Sequence, residues 1–432
     1  MRVLCASQEP DAVAALLRRD VFAGTHEHAQ AAAAILDDVR ARGDAALVDY
    51  TRRFDCPTMT VERLRVPAAD LTAALAAVTP AFRAAVGQAV ANLRDFHLRQ
   101  TRQDWFAPRP GGGWVGQRQT PVDRVGVYVP GGQAVLPSTL LHTCVPAQVA
   151  GVRSLAVCTP PRPDGTGEVH LLAAAAAIGL DEVYLVGGAQ AIAALAYGTA
   201  TIPRVDVVAG PGNPYVNHAK RLVFGEVGID SLAGPSEILI VADDGADAAV
   251  IAADLLSQAE HSLDARAILL TPSAALIERV QTVLAAQLAA LPRAEVARAA
   301  LAAVGGIVLT RDLDEACALV NACAPEHLEL LVAEPLALLG AIRHAGAIFL
   351  GDASPEPLGD YVAGPSHVLP TGGTARFASP VSVETFVKRS SLIAYGRATL
   401  RAEADAITTL ARAEGLEAHA RSVDVRLSPG SE

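Results

Sequence analysis

Val125–Gly132, VGVYVPGG, is a short apolar run closed by a Pro-Gly-Gly turn, and its pattern recurs down the chain. Similar runs are Leu155–Cys158, Val183–Val186, Val205–Val208, Ile238–Val241, Ala267–Leu270, Ile307–Leu309, Leu328–Val332 and Ala347–Leu350. A strand without polar alternation is covered on both faces, and Ala-rich helical segments between such strands make the sheets parallel. The class that follows is α/β, with two doubly wound, Rossmann-like parallel-sheet domains and small helical N- and C-terminal appendages. Ligands in such folds sit beyond the carboxyl ends of the strands.

Outward from this alternation the texture changes. The first hundred residues predict helices: a short arm over Pro10–Asp20, a longer pattern over His26–Arg53 interrupted at Gly43, and another over Pro80–Gln100. Trp105–Gly116, WFAPRPGGGWVG, is a breaker-rich connection. After Ser379 the strands stop: Val383–Lys388 predicts a short helix, Ala402–Ala413 a longer one, and Ser428–Glu432 a frayed tail. The expected organisation is an N-terminal helical arm (1–23), a first α/β domain (24–126 with 237–380), a second (127–236) and a C-terminal helical segment (381–432).

At 432 residues the chain can build two sizeable cores. Half of it is apolar and the mean hydropathy is +0.30, yet no uncharged apolar run is long enough to span a bilayer. The N-terminus has charges inside its apolar stretch, unlike a secretory signal, so the expected location is the cytoplasm. A net charge of −11 without a basic run argues against nucleic acid or an anionic membrane as partner and for small molecules. The six cysteines show no CxxC, which leaves them as buried small hydrophobes. Of 35 basic residues only Lys220 and Lys388 are lysine, the other 33 being arginine. Against such a bias, at least one of them is expected to meet an anionic group where a planar guanidinium cannot replace a point charge.

Several segments carry titratable groups. Gly359–Thr371, GDYVAGPSHVLPT, puts Asp360, Tyr361, Ser366 and His367 on a segment that its glycines and prolines keep from forming a long helix. It is either a site or a tight connection whose histidine caps a neighbour. Gln258 and His261, three apart near a helix end, are workable metal ligands or carbonyl caps. Asp360 and His419 are candidates to complete an N/O set of the kind catalytic zinc uses. Glu326 and His327, at the amino end of a strand, suit a water-activating carboxylate and an alcohol-proton base, or form a surface pair. Three turns that follow strands suit a dinucleotide or are plain connections: Pro130-Gly131-Gly132, GGAQAIAAL from Gly187 and AGPGNPY from Ala209. None is the GxGxxG fingerprint.

Taken in order, these blocks closely resemble the histidinol dehydrogenase family over nearly the whole chain. The resemblance is carried by PVDRVGVYVPGG from Pro121, LVGGAQAIAALAYGT from Leu185, AGPGNPYV from Ala209 and AGPSEILIVAD from Ala233. QAEHS from Gln258, APEHLEL from Ala324, GDYVAGPSHVLPTGGTAR from Gly359, FVKRSS from Phe386 and EGLEAHA from Glu414 complete it. It implies oxidation of L-histidinol to L-histidine through L-histidinaldehyde, with two NAD and one zinc per active site, in the last steps of histidine biosynthesis. It further implies zinc held by Gln258, His261, Asp360 and His419 within a domain-exchanged homodimer, where the last ligand is His419 of the partner subunit. His327 would be the base of the alcohol step and Glu326 the activator of water in the aldehyde step. Ser236, His327, His367 and Glu414 would contact substrate beside the four zinc ligands, and Tyr128, Gln190 and Asn213 would contact NAD. Departures from the family pattern fall at His142, Gln148, Ser231, Leu232 and Ser262, none of them an implied ligand or catalytic group. The alternatives are a zinc/NAD dehydrogenase of another small alcohol on the same scaffold and a non-catalytic nucleotide-binding relative.

Overall fold

In chain order the strands of this computed structural model are β1 (Arg2–Cys5), β2 (Trp105–Pro108), β3 (Gly113–Pro121), β4 (Arg124–Tyr128) and β5 (Ser154–Thr159). They continue as β6 (Val183–Leu185), β7 (Val207–Ala209), β8 (Gly228–Ile229), β9 (Glu237–Ala242) and β10 (Arg266–Thr271). The last four are β11 (Gly306–Leu309), β12 (His327–Leu331), β13 (Ala347–Leu350) and β14 (Val387–Tyr395). The structure describes residues 1–18, 25–131 and 136–428, so Gly132 of the first glycine-rich turn, residues 19–24 of the expected arm and its boundary, and the tail beyond Ser428 lie outside it.

Two all-parallel sheets carry the first compact unit, residues 1–100 with 123–386. The larger runs β1-β11-β10-β9-β12-β13 and the smaller β6-β5-β4-β7-β8. From β4 in the smaller sheet and from β9 in the larger, the chain winds outward to one side and then resumes on the other, which is the doubly wound plan, and β1 adds to the larger sheet as an edge strand. In β9 all six residues of EILIVA are buried, because the pleat sends Ile238, Ile240 and Ala242 to one helical layer and Leu239 and Val241 to the other. The continuous apolar runs have this two-sided burial as their cause. All five cysteines after Cys5 are buried, and none of the six is paired. No single helix among the described residues is long and apolar enough to cross a membrane.

Three expectations about organisation differ from the chain's contacts. Residues 1–18 are not a purely helical arm: RVLC forms the edge strand β1, paired in parallel with β11. The helices between His26 and Leu98 pack mainly on the five-stranded sheet's side rather than with 237–380: Val66 N–H donates to the Val183 carbonyl (2.8 Å) and Leu185 N–H to the Leu64 carbonyl (2.7 Å), while helix Pro80–Leu98 also reaches 237–380 where Asn92 Nδ2 donates to the Val362 carbonyl (2.7 Å). Sequence order alone does not say which sheet a helix joins. The C-terminal part is not wholly helical either. In the second unit, residues 101–122 with 387–432, β14 pairs antiparallel along β3, which also pairs with β2, and helices Arg397–Ala413 and Glu417–Leu427 pack against each other. The expected helix at Val383–Lys388 is a short 3-10 turn, Val383–Phe386, that runs directly into β14.

One glycine admits β13 to the large sheet. Gly346 N–H donates to the Pro325 carbonyl (2.9 Å), and a Cβ there would sit 2.6 Å from the Glu326 carbonyl oxygen. Gly346→Ala should therefore cost roughly 1–3 kcal/mol through backbone displacement, read as a lower urea midpoint. Gly340→Ala is the control, since a Cβ at that position meets nothing within 4 Å.

Candidate active site

The site begins where helix Leu313–Cys323 ends. Pro325 disfavours a right-handed helical conformation for the residue before it, and Ala324 takes φ 52°, ψ 61° instead, the only positive φ at a non-glycine among the described residues. That turn feeds Glu326 and His327 into the amino end of β12 with 6% and 4% of their surface exposed. The register of β9 against β12 pairs His327 with Ile238, which brings the Glu237 backbone alongside both residues. Glu237 N–H donates to Glu326 Oε2 (2.9 Å), and the Glu237 carbonyl accepts from His327 Nδ1 (3.0 Å). A carbonyl cannot donate, so the proton of a neutral His327 resides on Nδ1 and the lone pair on Nε2. That Nε2 is buried without a hydrogen-bond partner, 3.7 Å from Glu356 Oε1. Burial lowers the His327 pKa to about 4 and raises that of Glu326 well above the carboxylate range.

Metal-ligand groups gather beside these two. Helix Ala248–Ala259 follows β9 and runs back along the sheet, so its last turn returns to the amino ends of the strands, carrying Gln258 with His261 just beyond. Both amide atoms of Gln258 are fully buried without a protein hydrogen-bond partner. Helix Glu356–Tyr361 follows β13, and its i,i+4 pair Glu356 and Asp360 faces the same way. One ligand atom from each of His261, Glu356 and Asp360 lies within 4.8 Å of the others. Burial raises the Glu356 carboxyl, and the nearby Asp360 charge raises it further. A buried amide without partners and carboxylates that repel one another are what a hard or borderline cation would satisfy, so these residues fit zinc. Glu356 escaped the sequence reading. Its signal was the four-residue spacing to Asp360 behind a helix-starting Pro355.

His367 Nδ1 donates to the Asp360 backbone carbonyl (2.9 Å), and Thr139 Oγ1 lies 3.1 Å from its Nε2. His142 stacks on its ring at 4.2 Å between centroids and accepts the His367 N–H at Nδ1 (3.0 Å). One departure from the family pattern is thus a direct support of this residue. Gln148 instead ties helices together, accepting from Arg94 and donating to the Ile178 carbonyl. A cavity of about 460 Å³ is lined by His327, Asp360, Ser366 and His367 together with Ile348 and Phe349. Ser236, half-buried just ahead of β9, accepts the Arg266 N–H at its carbonyl. Glu414 and His419 belong to the second unit, at the end of helix Arg397–Ala413 and within helix Glu417–Leu427, both exposed.

The metal and catalytic groups of the first unit therefore collect at the amino ends of β9 and β12, contrary to the expectation of carboxyl ends. The described glycines of the three turns, Gly131, Gly187 and Gly210, follow the usual rule, at the carboxyl ends of β4, β6 and β7. Tyr128, 3% exposed at the end of β4, accepts the Gly188 N–H at its hydroxyl (3.1 Å). Gln190 is buried in the first turn of helix Gly188–Tyr197. Asn213 caps helix Pro214–Val223 by accepting from Val216 N–H (3.1 Å) and is itself exposed.

Against known proteins, a family profile described as histidinol dehydrogenase matches residues 20–427. The histidinol dehydrogenase of Geobacillus kaustophilus is 53% identical over 414 residues, 96% of this chain and 97% of that protein. That of Halalkalibacterium halodurans is 51% identical over 411 residues, 95% of this chain and 96% of that protein. The crystal structure of histidinol dehydrogenase from Elizabethkingia anophelis superposes with a TM-score of 0.93 at 35% identity, covering 98% of this chain and 97% of that one.

Two outcomes follow from the geometry. In chelator-treated protein, Gln258→Met should keep or raise the thermal midpoint, because it removes a buried amide without partners, while zinc retention measured by elemental analysis falls. For His327, the folded pKa is about 4 against 6.5 for the unfolded chain, so between these values the unfolded state binds a proton that the folded state refuses. Stability must then fall as pH drops from 6.5 to 4, by up to roughly 3 kcal/mol from this group. Urea midpoints of metal-free wild type and His327→Asn across that window should show the smaller loss in the variant.

Proposed function

The chain belongs to the histidinol dehydrogenase family, and we propose that the group at the amino ends of β9 and β12 is where it oxidises L-histidinol, through L-histidinaldehyde, to L-histidine. It is an NAD-dependent oxidoreductase of histidine biosynthesis that uses zinc. The observation that carries the site assignment is the partnerless, buried Nε2 of His327 beside convergent ligand atoms.

Zinc, when bound, supplies a fixed positive centre that anchors the substrate's nitrogen atoms, and NAD supplies the hydride acceptor. Gln258, His261, Asp360 and His419 of the partner subunit would hold the metal, with the Glu356 carboxylate facing the same point. Ser236, His367 and Glu414 would hold the rest of the substrate, and Tyr128, Gln190 and Asn213 the NAD. In the alcohol step the hydroxyl proton passes to His327 Nε2 while hydride leaves the carbinol carbon. Because Nδ1–H is committed to the Glu237 carbonyl, the ring presents one tautomer only. Its low pKa keeps it in the free-base form at neutral pH, and the neighbouring Asp360 charge favours the imidazolium once formed. In the aldehyde step water attacks the carbonyl carbon as Glu326 takes its proton, and the resulting hydrate oxyanion gives its hydride to the second NAD and becomes the carboxylic acid. Once ionised, the buried Glu326 is a stronger base than an exposed glutamate, because burial disfavours its charge, and the Glu237 N–H orients its carboxylate. We place this reaction in the cytoplasm and in a domain-exchanged homodimer.

Metal-replete protein given L-histidinol and NAD should form two NADH per substrate, lose activity on chelation and regain it with zinc. Absence of NADH would sink the reading, and NADH from other alcohols alone would favour a dehydrogenase of another small alcohol. His327→Asn should lower kcat by about 10²–10⁴-fold with zinc content unchanged, whereas Glu326→Gln should stall after one NADH. Mixed dimers of His327→Asn and His419→Ala chains should recover activity that neither parent has, and failure to recover it would remove the domain exchange.

A further inference from the structure

Lys220 lies on helix Pro214–Val223, fully buried, in a chain that otherwise uses arginine almost throughout. Its Nζ donates to the Gly210 carbonyl (2.9 Å) and pairs with Asp230 Oδ1. The other carboxylate oxygen, Asp230 Oδ2, accepts from Gly210 N–H (2.8 Å). The backbone N–H and C=O of one residue are thereby gripped by the two members of one buried ion pair. Asp230 is itself tied to the sheet, its N–H donating to the Val208 carbonyl in β7 (3.2 Å). Gly210 has φ 112°, and a Cβ there would sit 2.1 Å from the Tyr128 carbonyl oxygen at the end of β4. No other residue type lets the turn after β7 approach β4 so closely. β4 and β7 are the neighbours between which the strand order of the five-stranded sheet reverses, where a crevice for a ligand opens.

We propose that the Lys220–Asp230 pair is the positioning device of the NAD-binding turn: it sets the orientation of the Gly210 backbone and hence, through Pro211 and Gly212, where Asn213 meets the dinucleotide. The inference rests on the reading that this turn binds NAD. Lysine suits the place because a compact ammonium is served by the Gly210 carbonyl and one carboxylate oxygen. A guanidinium would bring five donors and a planar fork into the same buried space. The exposed Lys388, which donates to the Pro121 carbonyl (3.3 Å), is under no such constraint.

The test measures NAD binding by calorimetry on zinc-loaded protein without histidinol, alongside KM for each substrate and thermal midpoints. Lys220→Arg and the neutral double variant Lys220→Met/Asp230→Asn are compared with wild type, and Lys388→Arg is the control. Misplacing a binding group by about 1 Å can cost on the order of 100-fold, so both Lys220 variants should weaken NAD binding by at least ~10-fold and raise KM for NAD. KM for histidinol and zinc content should hold. The double variant, which leaves no unpaired buried charge, keeps the test informative if Lys220→Arg does not fold. Wild-type NAD affinity in either folded variant, even with a lowered thermal midpoint, overturns the proposal and leaves the pair a stability element. Asn213→Ala separates the two levels. If it binds NAD as wild type does, the turn is not the NAD site and both readings fall. If it weakens NAD while the Lys220 variants do not, only the positioning role fails.

Discussion

The backbone of Glu237 is the piece on which the rest of the site depends. Its N–H holds the Glu326 carboxylate and its carbonyl holds the His327 ring, so one residue of β9 orients two residues of β12. Both bonds come from main chain, which makes them a consequence of strand register: a slip by one residue would send Glu326 and His327 to the opposite faces of the sheet. The Glu237 side chain extends the same control, with Oε1 accepting the Gly372 N–H (2.9 Å) just after the Asp360–His367 loop and Oε2 3.8 Å from Arg266. β12 does likewise at its next inward position, where Glu329 Oε1 accepts the N–H of Glu356 at the start of the helix that carries Asp360. Catalytic groups, loop and metal ligands are thus set from two adjacent strands.

Desolvation governs the electrostatics of this region. Burial is the largest cause of the shift at Glu326, His327, Glu356 and His367, and in each it favours the neutral form. A region that buries Glu237, Glu326, Glu329 and Glu356 together is poor for stability and suited to receiving a cation and moving protons. Its position at the amino ends of β9 and β12 has a geometrical cause. The helix that follows β9 runs back toward those ends and brings Gln258 there in its last turn, while the start of the helix that carries Glu356 and Asp360 is held by Glu329 of β12. The glycine-rich turns, which precede their helices, stay at the carboxyl ends of β4, β6 and β7.

How much could be read beforehand varied with the kind of signal. Ile238–Val241 and Leu328–Val332 are legible as strands because burial on both faces leaves only apolar residues. Val387–Tyr395, VKRSSLIAY, is not: it is largely exposed and polar, and its strand identity comes from pairing with β3. RVLC at the N-terminus is too short to be told from the start of a helix until β11 lies beside it. His261 and Asp360 stood out as ligand types in unusual settings, while Glu356 was one more acid in PEPLGDY. His142 is legible in the sequence only as a departure from the family pattern, and its stacking on His367 depends on the fold.

Fold class, family and the chemical character of the groups are written in the amino-acid order, because apolar runs, turn glycines and ordered motifs are local properties of the chain. That order also marks Lys220 as a lysine kept against a strong arginine bias. Which helices cover which sheet, which end of the large sheet hosts the catalytic pair, and the meeting of Glu356 with His261 and Asp360 emerge from the folded chain alone. Those outcomes depend on contacts between residues roughly a hundred positions apart, such as Glu237 with His327 and Glu356 with His261. Such contacts are fixed by strand order and register, and no local pattern encodes them.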